Sequence, residues 1–200
     1  LAVEEQFYLI WPIVMLLLLR GGTRKLANTA LFLFGAAVVV TVVTAVLYHK
    51  GTVGQPDVTP GAYWHVGDRD ISKADALYLS TITRSGGLLL GAAFAMVWRP
   101  VAIMRSPLRH ASRALDLVGL LGLVLLGFLF WRLHFITPDG ADPWLFRGGF
   151  FVTGIATLLV IASVTHRYAL AGKLIGNPVF KYLGTRSYGL YLYHWPIYQV

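Results

Sequence analysis

LANTALFLFGAAVVVTVVTAVLY, residues 26–48, runs for 23 residues without a charged side chain. A helix needs roughly 20 predominantly apolar residues to cross a bilayer, so this stretch is long enough to span. Five more apolar runs flank it, at about Val3–Leu19, Ile82–Trp98, Leu115–Trp131, Gly149–Val164 and from Tyr182 onward. Several lie near the short limit of about 17 residues. The predicted fold class is all-α, a polytopic transmembrane helix bundle with about six spanning helices.

Composition agrees. Of the 200 residues 56% are hydrophobic and 13% charged, where a soluble domain carries roughly 25% charge. The net charge of +8 does not point to nucleic acid, because the basic residues are scattered between apolar runs and form no clustered basic face. Without cysteine there is no disulfide framework and no thiolate metal site.

If the runs cross a membrane, Lys and Arg should accumulate in alternate loops. One set of loops holds eleven of them: Arg20, Arg24, Lys25, Arg99, Arg105, Arg109, Arg113, Arg167, Lys173, Lys181 and Arg186. The other holds six, Lys50, Arg69, Lys73, Arg84, Arg132 and Arg147, together with eight of the nine acids. The first helix therefore runs from outside to inside and the sixth from inside to outside. The longest loop, His49 to about Thr81, lies on the outer side, contains GQPDVTPG and is too short for a second domain. No internal repeat appears, and the first residues do not resemble a signal peptide. The chain begins at a helix mouth and stops at Val200 with an apolar helix still running, so it is expected to be part of a larger membrane protein.

Ionisable groups at such helices are costly and usually face the bundle interior or a watery cavity. The first run opens LAVEEQFYLIWP, residues 1–12, where Glu4, Tyr8, Trp11 and Met15 share one helical face. Glu4 and Glu5 also fit a solvated helix start, where the macrodipole favours acids. The third run carries Arg84 above Gly87, Gly91 and Ala95, a stripe that would let another backbone approach closely. Arg84 suits an anionic substrate group or a carboxylate such as Glu4, and equally an arginine snorkelling to water. In the sixth run Ser187, Tyr191, His194 and Tyr198 form one polar and aromatic stripe. Pro196 crowds the carbonyl of Leu192, so a kink beside His194 is expected. Histidine can move protons near neutrality, or serve only as a structural donor. WLFRGGFF, residues 144–151, sets Arg147 at the outer mouth of the fifth helix, as a further anion contact or as part of a turn. The other histidines are dispersed and form no paired-ligand motif, so no metal is expected.

LAVEEQFYLIWP resembles the SLxxExQFYxxxP signature of the acyltransferase 3 family of integral membrane proteins, lacking its first serine. TRSGGLLLGAAFA resembles that family's arginine-bearing segment and LGTRSYGLYLYHWP its closing motif, so the resemblance spans nearly the whole chain in the family's order. It implies catalytic roles for Glu4, Arg84 and His194, with Gln6, Tyr8 and Tyr191 as substrate-binding candidates beside them; Ser187, from the polar stripe, and Arg147, from the turn, are further substrate-binding candidates on the residue pattern alone. It implies transfer of an acyl group, commonly acetyl, from acyl-CoA to a hydroxyl of a carbohydrate or lipid-linked glycan, at a bacterial cytoplasmic membrane. Residues 1–200 would be the C-terminal part of the acyltransferase domain. The family's N-terminal helices, with their central histidine, would be its partners in the same chain, and this part alone is expected to be inactive. Membrane lipid is the other partner. A transporter or flippase would share the midmembrane polar groups and kinked helix but needs repeats; a non-catalytic membrane scaffold would need only internal pairing.

Overall fold

The computed structural model of the protein describes residues 3–20, 26–52, 54–134 and 140–198. Each apolar run forms a helix: α1 Val3–Leu19, α2 Leu26–Leu47, α4 Thr81–Val97, α6 Ser112–Arg132, α7 Phe150–Thr165 and α9 Pro178–Tyr198. Short helices α3 Lys73–Leu79, α5 Pro100–Met104 and α8 Leu170–Ile175 lie in the connections. Among the described residues four segments are long and apolar enough to cross a membrane: Leu26–Leu47, Thr81–Met104, Ser112–Arg132 and Leu145–Thr165. The expected count of six is not reached on that measure. In α1 the apolar stretch shortens to Tyr8–Leu19, and α9 mixes Lys181, Arg186 and five tyrosines into its length. No more than 22% of the most apolar window of any of the four is buried inside the chain. Apolar surface turned outward all round a helix belongs to a membrane span, and the protein is an integral membrane protein.

The chain divides into two compact units, Leu1–Arg99 with Gly122–Leu158, and Pro100–Leu121 with Leu159–Val200. In the first, α2 packs along α4 through Ala30, Leu33, Ala93 and Met96, and Trp11, Met15 and Leu18 of α1 cover that seam. Thus Trp11 and Met15 turn to the core as their spacing predicts, while Tyr8 is exposed. The close-packed face of α4 is one position away from the expected stripe. Gly86 lies near Val40 and Leu90 fits against Gly154, whereas a Cβ at Gly87 or Gly91 would meet nothing within 4 Å, and Ala95 is exposed. A shift of one residue rotates a helical face by about 100°; the α2 seam takes Leu90, Ala93 and Met96, leaving Gly87, Gly91 and Ala95 beside it.

The connection assigned to the outer side folds further than expected of a loop. Strands β1 Tyr63–Val66 and β2 Arg69–Ser72 form an antiparallel hairpin, turned at Gly67 with φ +61°, a backbone glycine adopts without strain. The Ser72 side chain accepts from the Asp75 N–H and starts α3, and Ser80 does the same for α4 through Ile82. A second apolar cluster, Tyr48, Leu77, Ala141 and Phe146, ties the end of α2 to α3 and to the loop before α7. The Tyr48 hydroxyl donates to the Ala141 carbonyl at 2.5 Å, and its ring stacks on Phe146 at 4.5 Å. Gly140, at φ +106°, lets its backbone lie against the Gly51 carbonyl, where any Cβ would collide. The two connections assigned to the outer side by charge therefore meet each other.

In the second unit the two connections assigned to the inner side meet likewise. Asp116 of α6 accepts from the Leu170 and Ala171 N–H groups at 3.0 and 3.2 Å, closing the start of α8. Gly119 of α6 lies so close to α7 that an added Cβ would sit 2.5 Å from Ser163. Asn177 accepts from Val179 and Phe180 N–H and begins α9, with Pro178 as its first residue, where its missing N–H costs nothing. The helix assignment of α9 continues through Pro196 to Tyr198; the side chain of Pro196 is outside the described residues.

Candidate functional site

At the end of the first unit that the charge pattern assigns to the outside, the Thr81 hydroxyl donates to Gln6 Oε1 at 2.8 Å. This bond sets the beginning of α1 beside the beginning of α4, the two turns that carry Glu4 and Arg84. Arg84 is held from a third element. Its Nε donates to the Tyr78 carbonyl at 2.9 Å, and its guanidinium lies 4.2 Å from the centroid of the Tyr78 ring. A bond and a cation–π contact to one residue fix the plane of the guanidinium. Tyr78 rests in turn near Phe150 at 6.2 Å, and Phe150 meets Phe146 edge-on at 6.0 Å. Arg84 is thereby anchored to the outer cluster around Tyr48, although its own residue is exposed.

Arg147 lies in the turn Leu145–Gly149 that precedes α7, with Gly148 at φ +121°. It is exposed and close enough to Tyr48 to act on its phenol. Burial pushes the Tyr48 hydroxyl above its usual range; the carboxylate of Asp142 adds to that, and Arg147 works against it. Asp142 itself is buried. It accepts from Arg132 Nη1 at 3.1 Å and from the Trp144 N–H at 2.9 Å, and Arg132 also lies over the Trp144 ring at 5.7 Å.

On α9 the predicted stripe is open on its described side: Ser187 and Tyr191 are exposed, and the Ser187 hydroxyl donates to Gly184 within its own helix at 2.8 Å. The side chains of Glu4 and His194 are outside the described residues. Gln6 and Arg84 are thus brought to one outer corner and Arg147 to the adjoining layer, while Tyr8 is exposed on α1.

Sequence reasoning does not single out Tyr78, Thr81, Tyr48 or Asp142. No motif marks them, and only the fold shows that Tyr78 holds Arg84, Asp142 holds Arg132, Thr81 bonds Gln6 and Tyr48 bonds the Ala141 carbonyl. It also passes over His166. In the second unit His166 and Ser163 are buried, and among the described residues the histidine ring nitrogens and the serine hydroxyl have no hydrogen-bond partner. Among the described residues no three His, Asp or Glu side chains gather to hold a metal ion.

The described residues thus set the helix starts that carry Glu4 and Arg84 side by side in a chain of membrane-spanning helices. The family model described as "Acyltransferase domain" matches residues 1–200, and the chain belongs to this acyltransferase 3 family. The "O-acetyltransferase OatA" of Staphylococcus aureus strain NCTC 8325 / PS 47 is 33% identical over 202 residues, covering 98% of this chain and 28% of the relative. OatA of strain COL matches with the same identity and coverage. A further relative in strain COL, SACOL0978, is 30% identical over 197 residues, again 98% of this chain and 28% of its own. The chain thus spans just over a quarter of the length of these curated relatives. No solved structure matches it.

Proposed function

We propose that the full-length protein is a membrane O-acyltransferase that moves an acyl group, in the first place acetyl, from acyl-CoA to a hydroxyl of a cell-surface carbohydrate or lipid-linked glycan. The observation that carries this reading is the Gln6–Thr81 contact, which sets the Glu4 and Arg84 turns side by side in a chain of the acyltransferase family. In the reaction the thioester C–S bond breaks, an ester C–O bond forms to the acceptor, and the hydroxyl proton ends on the released thiol.

In this proposal Arg84 offers its Nη donors to an oxygen that gains negative charge, the role of a guanidinium in acyl transfer. Glu4 orients Arg84 or the acceptor, with Gln6 and Tyr8 beside it. His194 takes up or shares the acceptor proton, and Tyr191 and Ser187 line the approach. Arg147 completes the positive field of the outer layer. The donor reaches the opposite side, where Arg99, Arg105, Arg113, Arg167 and Lys173 suit its phosphates. The membrane is the bacterial cytoplasmic membrane, and further helices of the same polypeptide complete the site.

The test is transfer of a labelled acetyl group from acetyl-CoA to glycan by the full-length protein in membranes, compared with Glu4→Gln, Arg84→Ala and His194→Ala. Loss in these variants at unchanged protein level is the expected result. Undiminished transfer in all three removes the site assignment, and movement of the acceptor across the membrane without esterification replaces the enzyme by a transporter.

A further inference from the structure

The β1–β2 hairpin has two unlike faces, because side chains alternate along a strand. Tyr63 and His65, paired with Ser72 and Asp70, form one. Tyr63 is buried; its hydroxyl donates to the Thr52 carbonyl at 2.7 Å and accepts from the Gln55 N–H at 3.3 Å. His65 pairs with Asp70 across the strands, and Ser72 caps α3. The polar needs of this face are met within the protein. Trp64 and Val66, paired with Ile71 and Arg69, form the other. Trp64 is 36%, Val66 61% and Ile71 42% exposed, so an indole and two β-branched side chains lie together uncovered.

The level at which this face sits follows from its anchors. Ala62, next to β1, lies against Gly51, four residues beyond the end of α2. After β2 the chain passes through α3 directly into α4 at Thr81. Both α2 and α4 belong to membrane spans, so the hairpin is held at the height of their outer ends. The same layer, through Tyr48, Ala141 and Asp142, carries Trp144 beside Arg132. Exposed Trp beside Arg at the end of a span is the pattern of the membrane–water interface. Trp64, one residue from the buried Tyr63, continues that belt. Arg69 at the edge of the apolar face supplies the charge that lipid phosphates attract. A carbohydrate platform would need hydrogen-bonding side chains around the indole, and its neighbours here are Val66 and Ile71.

We infer that the Trp64, Val66, Ile71 and Arg69 face is a lipid-docking surface, seated in the outer leaflet among anionic headgroups, that fixes the outer connection between α2 and α4 against the bilayer. Residues 1–200 contain no cysteine, so once any cysteine elsewhere in the full-length protein is replaced by serine, single cysteines at positions 64, 66 and 71, and at 65 and 70 as controls, each carry one environment-sensitive fluorophore. The full-length protein is reconstituted in nanodiscs of phosphatidylglycerol and phosphatidylethanolamine containing nitroxide-labelled lipid. The expected result is blue-shifted emission and strong quenching at 64, 66 and 71, with both weak at 65 and 70. Uniform quenching at all five positions overturns the inference, as does its absence at 64, 66 and 71. Shielding of position 64 by added soluble glycan, without lipid quenching, also overturns it and turns the face toward the acceptor. The unmodified protein supplies an independent reading: a photoactivatable phosphatidylglycerol should cross-link to the peptide containing Trp64, and absence of that cross-link counts against the docking surface.

Discussion

Replacing Tyr78 by Leu asks whether Arg84 works because it is held or merely because it is charged. The substitution removes the ring that lies 4.2 Å from the guanidinium and keeps the backbone carbonyl that accepts from Nε. An exposed cation–π contact is worth about 0.5–1 kcal/mol. If that energy positions Arg84 in the transition state, transfer falls about two- to fivefold, since about 1.36 kcal/mol is a factor of ten. Arg84→Ala removes the charged donor itself. A hydrogen bond to a charged group is worth about 1.5–3 kcal/mol, which corresponds to a loss of about 10–150-fold. Arg84→Lys keeps the charge without the planar Nε bond and should fall between them. The assay is acyl transfer by the full-length protein in membranes, with the loss expected in kcat, and with thermal unfolding measured in parallel. The buried α4 side chains Leu90, Ala93 and Met96 are untouched, so the midpoint should move little. Full activity in Tyr78→Leu together with a large loss in Arg84→Ala refutes positioning by Tyr78; full activity in both refutes any role for this arginine.

Asp142→Ala leaves the Trp144 N–H and Arg132 without their acceptor. The half-exposed ion pair is worth at most about 1 kcal/mol and the buried bond rather more, so a loss of about 2–3 kcal/mol in unfolding is expected, against less than about 1 kcal/mol for Asp142→Asn. Equal stability of the Ala variant and the native protein contradicts this. Tyr48 is expected to give an alkaline transition. Its phenol is raised mainly by burial, so the folded state favours the neutral form. That stabilisation is complete below the ordinary tyrosine value of about 10 and lost as pH rises through the raised folded value. Phenolate absorbance should show one late-titrating tyrosine, absent in Tyr48→Phe. Gly119→Ala places a methyl group 2.5 Å from Ser163 and should destabilise by about 1–3 kcal/mol; the added change Ser163→Gly should restore most of it.

The helices were legible because an apolar run such as 26–48 has few alternatives once it reaches span length. The alternation of basic loops was legible too, and the pairings Tyr48–Ala141 and Asp116–Leu170 bring like-assigned connections together. The hairpin was hidden because its strands are four residues each, too short for a periodic signal, and mix His, Arg and Asp among their apolar residues. The packing face of α4 was off by one position, because Gly86 and Gly87 are equally small and only the placement of α2 decides between them. Motif acids and bases could be named from local pattern. The side chains that hold them could not: Tyr78 is six residues from Arg84 and Thr81 is 75 from Gln6, separations that carry no sequence signature.

Which side of the membrane each connection occupies is measured most directly by single cysteines at Asp68, in the hairpin turn, and at Arg167, beyond α7. Intact cells are treated with a membrane-impermeant maleimide. Position 68 should label from outside, and position 167 only after the membrane is opened. Labelling of both from the same side would contradict a bundle whose acid- and arginine-bearing corner faces away from its basic connections.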